Sequence, residues 1–258
     1  MFPIINIGPL ALQSAILILV LGLFAASEVF SRRAVRLGLP ENIQNAGGLA
    51  LVVGVLAARL GYAALHLDAY LRDPVGLVSP QMATTSVPAG LVAGGIFFAW
   101  RIYRRELPPR LVLDALAPGL ALMLAALAIR DLALGENVGL PADLPWAIDL
   151  WNARRHPVQL YLAIPALLLA VWSFRRGTRP FPGFDFLVVL GGYTLAVLIT
   201  SMWRESSTTL PGDLRQEQLI AWLVLLGTTG LGARWSQVRS ALPSTEQPIS
   251  PTPSMDEV

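Results

Sequence analysis

A chain of 258 residues with 54% apolar residues, 14% charged residues and a mean hydropathy of +0.58 lies outside the range of soluble domains. Those run at about 45–50% apolar and about 25% charged, so a soluble globular fold is excluded. A formal net charge of +2 is too small for a nucleic-acid surface, and the absence of cysteine excludes disulfides, thiolate nucleophiles and cysteine–metal sites.

Residues 7–27, 83–100, 157–174 and 186–203 carry no charge at all. At about 1.5 Å per residue each can cross roughly 30 Å of hydrocarbon. Taken in chain order, seven spans are predicted: 9–29, 46–66, 86–103, 111–130, 157–174, 184–203 and 218–235. Helices are expected because backbone groups in lipid must be satisfied within the segment. The fold class is therefore an all-α polytopic membrane protein. No positive charge precedes the first apolar run, so it does not read as a cleavable signal.

All 19 basic residues are arginines, and their distribution alternates. Junctions on one side hold Arg32, Arg33, Arg36, Arg101, Arg104, Arg105, Arg110, Arg175, Arg176, Arg179, Arg234 and Arg239. Those on the other side hold Arg72, Arg154, Arg155, Arg204 and Arg215. The positive-inside rule then predicts the N-terminus outside and the C-terminus cytoplasmic. The longest loop, 131–156, falls outside, with Trp146 and Trp151 suited to the interface. Residues 1–239 form the membrane domain. The Pro/Ser-rich stretch 240–258 is expected as a disordered cytoplasmic tail. The halves show no repeat, which counts against an inverted-repeat transporter.

Charges inside or at the ends of spans are costly enough to mark candidate sites. They are Arg59 in "AARLGY", Arg130 with Asp131 in "AIRDLALGENVG", and Arg204 with Glu205 in "MWRESS". Arginine suits an anionic head group, because its planar fork bonds phosphate oxygens in pairs. The alternative for the span-end arginines is simple snorkelling. His156, before Pro157, reads as a helix N-cap, and His66 as interfacial.

In order along the chain, "NIGPLAL" (6–12), "ARLGYAAL" with "DPVGL", "LDALAPGLAL", "GENVGLP" (135–141), "RHPVQLY" (155–161) and "GGY" with "WR" (191–204) resemble the prolipoprotein diacylglyceryl transferase family. The resemblance implies a seven-span bacterial enzyme of the cytoplasmic (inner) membrane. It moves diacylglyceryl from phosphatidylglycerol to the lipobox cysteine of preprolipoproteins, without a cofactor or metal. It implies Arg130 and Glu136 as catalytic residues. Arg59, Gly139, His156, Gln159, Tyr161, Tyr193 and Arg204 would line the substrate site. Phosphatidylglycerol or another anionic phospholipid, and a preprolipoprotein signal peptide, are the expected partners.

The chain also departs from the family pattern. Pro88 stands at or beside the family's histidine in "SVPAGLVAGG", and "RDLALGE" (130–136) is shorter than the family signature and lacks its two asparagines. Leu162 replaces a glutamate, and Val197 and Ser201 occupy the places of an arginine and a glutamate. A second reading follows from these positions: a catalytically inactive member that binds phospholipid or serves as a subunit of a membrane complex.

Overall fold

The computed structural model describes residues 4–7, 10–72, 86–205 and 215–240. Chain order gives two strands, β1 (Ile4–Ile7) and β2 (Leu10–Gln13), then helices α1 (Ser14–Arg36), α2 (Ile43–Leu65), α3 (Leu67–Arg72), α4 (Val87–Arg104) and α5 (Pro109–Leu134). Strands β3 (Ile148–Leu150) and β4 (Ala153–Arg155) follow, then α6 (Val158–Arg175), α7 (Phe184–Thr200) and α8 (Gln216–Ser240).

The uncharged runs are helical over most of their described residues. Among the described residues, six helices are long and apolar enough to cross a bilayer: α1, α2, α5, α6, α7 and α8. The remaining predicted span is α4, 18 residues long, whose last turn carries Arg101 and Arg104. The chain is a multi-pass, membrane-embedded helical protein. Prolines mark helix starts where a missing N–H costs nothing: Pro88 in the first turn of α4 and Pro109 at the start of α5.

Three local expectations change. The sequence predicts the first span from residue 9, but residues 10–13 pair with 4–7 as antiparallel strands, and helix begins only at Ser14. The 131–156 loop contains an antiparallel hairpin, β3 with β4. Helix α6 starts at Val158 with Pro157 as its cap residue and no side-chain cap bond, so His156 lies just before the cap. The family-like "DPVGL" and residues 241–258 of the expected tail lie outside the described residues.

Neighbouring helices run antiparallel, as their contacts show. Gly22 faces Ala126 and Gly119 faces Ala26 across α1 and α5. Ala128 packs near Val158 and Leu162, while Ala117 and Ala121 meet Ala170 further along α6. Across α7 and α8, Gly183 meets Trp235 and Gly191 meets Thr228. Helix α2 lies on α4 through small residues: a Cβ added at Gly90 would come 2.7 Å from the carbonyl oxygen of Gly54. Lipid offers no hydrophobic drive between helices, so such close backbone approach supplies the association.

The bundle has two distinct ends. At the turn end, where α1 stops and the α6–α7 turn lies, Phe30, Ala34, Leu39, Ile43, Ile102, Val112 and Ala115 form an apolar cluster. At the hairpin end, α5 stops, the chain passes through β3 and β4, α6 begins and α7 stops. The candidate site is at this end.

Candidate functional site

Helix α5 ends in a turn that folds its own last charges together. Gly135 takes the left-handed conformation (φ 69°) and reverses the chain, and Glu136 N–H donates back to the Asp131 carbonyl at 2.9 Å. That turn brings Glu136 Oε2 to 3.1 Å from Arg130 Nη1, which also bonds Asp131 Oδ1 at 2.7 Å. Asn137 Nδ2 donates to the other Asp131 oxygen at 2.6 Å. From α6, the buried Gln159 donates through Nε2 to the Glu136 carbonyl at 2.7 Å and fixes the turn from beneath.

The segment after this turn is laid between two others. Gly139 bridges to Arg204 and Pro141 to Arg155 as isolated antiparallel pairs. Leu140 N–H donates to Trp203 at 2.7 Å, Glu205 N–H to Val138 at 3.0 Å and His156 N–H to Leu140 at 3.1 Å. The lane is narrow: a Cβ at position 139 would sit 2.3 Å from the His156 carbonyl oxygen. Only glycine fits there, so Gly139 holds the segment before α6 against the end of α7.

Aromatic rings cover this crossing. His156 stacks on Trp203 at 5.8 Å and 22°, with Tyr161 edge-on to both. Tyr161 Oη accepts from Trp146 Nε1 at 2.8 Å, while His156 Nδ1 lies 3.4 Å from the same oxygen. Tyr193, on α7, lies within electrostatic reach of both Arg204 and Asp131.

Three further arginines complete the rim, each bonded to another segment. Arg204 Nη1 bonds Glu217 Oε2 of α8 at 2.7 Å, and its Nε is buried without a partner. Arg155 pairs with Glu205 through Nη1, and its Nε donates to the Leu150 carbonyl at 3.2 Å. Arg215 donates to the Arg204 carbonyl at 2.8 Å. The pairing differs from the neighbours in sequence, for Glu205 serves Arg155 and not Arg204. Of the ion-paired carboxylates at this end, the most exposed are Glu136 (52%) and Glu205 (44%). They are the partners an incoming anion displaces at least cost, since a solvated ion pair contributes little.

Arg130, Glu136, Gly139, His156, Gln159, Tyr161, Tyr193 and Arg204 thus all stand at the hairpin end. Arg59 lies on another helix pair. It is partly buried on α2, whose main packing partner is α4. Asn137 and Glu217 were missed by sequence reasoning. Asn137 sits at a left-handed φ of 52°, a signal only a known turn can reveal. Glu217 lies 13 positions further along the chain, in the first turn of α8, so nothing in its local sequence points to Arg204.

The substituted positions also have structural roles. Leu162 and Val197 share one apolar cluster with Ala128, Val158 and Tyr193. Ser201 is buried, its hydroxyl donating to the Leu198 carbonyl at 2.6 Å and accepting from Gln218 at 3.2 Å. Pro88 opens α4. Among the described residues, no group of three or more histidines and acids could hold a metal ion.

The family model described as prolipoprotein diacylglyceryl transferase matches residues 3–233. The chain is 27% identical to the phosphatidylglycerol–prolipoprotein diacylglyceryl transferase of Synechococcus elongatus, covering 99% of this chain and 94% of that protein. It is 32% identical to the one from Methylococcus capsulatus, over 72% of this chain and 76% of that protein. The one from Azotobacter vinelandii is 29% identical, over 92% and 94%.

Proposed function

The chain belongs to the prolipoprotein diacylglyceryl transferase family, and from that premise we propose that it transfers a diacylglyceryl group from phosphatidylglycerol to the lipobox cysteine of a preprolipoprotein. The thiol sulfur attacks the glyceryl carbon bound to phosphate. A carbon–sulfur bond forms, the carbon–oxygen bond to phosphate breaks, and glycerol phosphate leaves with the electron pair. The thiol proton passes to a base.

The observation that carries this reading is the arginine pair at the hairpin end, Arg130 on α5 and Arg204 after α7, with Tyr193 facing both regions. Charge grows on the phosphate as the bond breaks, and fixed guanidinium donors stabilise that charge best where water is scarce. Arg130 is the catalytic cation. Its carboxylate partner Glu136, half exposed, yields to the phosphate and stands ready as the base for the thiol. Gly139 and Gln159 hold this turn, and His156, Tyr161 and Arg204 line the way to it. Arg59, on the α2–α4 pair, meets the lipid on its approach from the bilayer. The membrane is the bacterial cytoplasmic membrane, with the hairpin end outside and residues 1–239 as the membrane domain.

The test is complementation of a strain depleted of its own transferase, with lipoprotein maturation scored by gel shift. The chain restores the shift, and Arg130→Ala abolishes it at equal expression. A well-expressed wild-type chain that gives no shift in that strain overturns the transferase reading and leaves a phospholipid-binding family member.

A further inference from the structure

A second basic cleft lies at the turn end, between α1, α2 and α4. It is open, about 600 Å³ in volume, and lined by Ser27, Asn45, Gly48, Leu49, Arg101 and Arg105. That volume lies within the range of small-molecule sites. The cleft exists because α2 closes tightly on α4 through Gly54, Gly90 and Gly94 but touches α1 far less, which leaves a wedge beside α1.

Arg101 and Arg105 are four residues apart at the end of α4 and so face the same side. Arg101 Nε is buried without a hydrogen-bond partner. Arg105 uses Nη1 on the carbonyl and side-chain oxygens of Asn42, at 3.3 and 3.0 Å, which engages only one nitrogen of a fork with five donors. Among the described residues, neither arginine enters an ion pair, whereas Arg33, Arg130, Arg155, Arg179 and Arg204 all do. Glu28, next to Ser27 in the chain, is held by Arg32 at 2.6 Å. The cleft therefore presents two cations without a carboxylate.

We propose that this cleft binds the phosphate head group of an anionic phospholipid in the leaflet at the turn end. The phosphate meets Arg101 and Arg105, the polar glycerol region meets Asn45 and Ser27, and an acyl chain runs along the exposed Leu49 and the outward face of α2 at Val52 and Leu56. Basic pockets between membrane helices on the arginine-rich side suit such head groups. A free phosphate ion would make no use of the apolar wall. The lipid held here is not the substrate of the proposed reaction, since Arg130 and Arg204 stand at the other end of helices roughly 35 Å long. By the arginine distribution it belongs to the cytoplasmic leaflet.

Native mass spectrometry of the full chain, with dioleoylphosphatidylglycerol or dioleoylphosphatidylcholine added in turn, tests this. The wild-type chain should retain one more phosphatidylglycerol than the double variant Arg101→Gln/Arg105→Gln, with retention falling about fivefold for each arginine removed. Gly48→Leu should lose the same lipid while keeping its melting temperature, because a Cβ there meets nothing within 4 Å. It decides the matter even where the double variant fails to fold. Arg130→Ala should keep the lipid at the cleft. Equal retention in wild type and Gly48→Leu, or equal retention of phosphatidylcholine, overturns the proposal. So does displacement of the bound lipid by soluble glycerol 1-phosphate, which would mark an anion site without a lipid.

Discussion

The two ends of the bundle are built from the same chemistry, arginine against carboxylate, and use it in opposite ways. At the turn end, Arg33 bonds Asp185 at 2.9 Å, and Asp114 accepts from the backbone N–H groups of Gly183 at 2.7 Å and Phe186 at 3.2 Å, so that it caps α7 from a different helix. Arg176 and Arg179 lie beside Asp185 at 3.7 Å. Both carboxylates are fully buried and Arg33 is only 4% exposed. At the hairpin end, Glu136 and Glu205 are about half exposed. A charge sealed from water fixes helices α1, α5 and α7 in place. A charge that water can reach is available to exchange partners with a substrate. Burial separates the lock from the site.

Breaking the lock should give the largest effect. Asp185→Ala leaves Arg33 buried without its counter-ion, and losing one partner of a buried pair costs about 3–5 kcal/mol. Thermal unfolding in detergent should show a fall of several degrees, and an unchanged melting temperature would erase the distinction drawn between the ends. Arg130→Ala should do the reverse. Transfer of diacylglyceryl to a lipobox peptide should drop about 100- to 1,000-fold, the usual loss for one donor to a developing negative charge, with the melting temperature nearly unmoved.

Gly139→Ala sharpens the comparison from the side of packing. Its Cβ would meet the His156 carbonyl at 2.3 Å, so about 1–3 kcal/mol of strain is expected, and it falls on the site as well as on the fold. Both melting temperature and activity should decline, and a fall in neither would show that the lane beside His156 is looser than described. The smallest effect belongs to Glu28→Ala. The Glu28–Arg32 pair is solvent-exposed on both sides, and its loss should change stability by no more than about 0.5 kcal/mol, a shift within the scatter of an unfolding measurement.

The long helices were legible because hydrocarbon imposes length and apolarity on each of them, and the uncharged runs 157–174 and 186–203 show both directly. Arg130 and Glu136 were legible as a unit because they stand only six positions apart, across one glycine turn. Partnerships across the fold were not. Arg33 looks like one more arginine of the positive side, yet it is buried against Asp185, 152 residues away. Arg204 stands next to Glu205 in sequence but bonds Glu217, because the chain turns after α7 and sends the adjacent carboxylate to Arg155. The pairing of 4–7 with 10–13 was hidden in an apolar run, since periodicity cannot distinguish a short strand from the start of a helix.

The apolar cluster that joins Leu162 and Val197 has a consequence for how this sequence can change. The family resemblance puts a glutamate at one of these positions and an arginine at the other, and here both are replaced by hydrocarbon that fills a single packed space. A glutamate restored alone at 162, itself 6% exposed, would face apolar neighbours with no cation to meet it. An arginine restored alone at 197 would meet the mirror difficulty. Each change alone would leave a charge among hydrocarbon, so this packing couples the two positions.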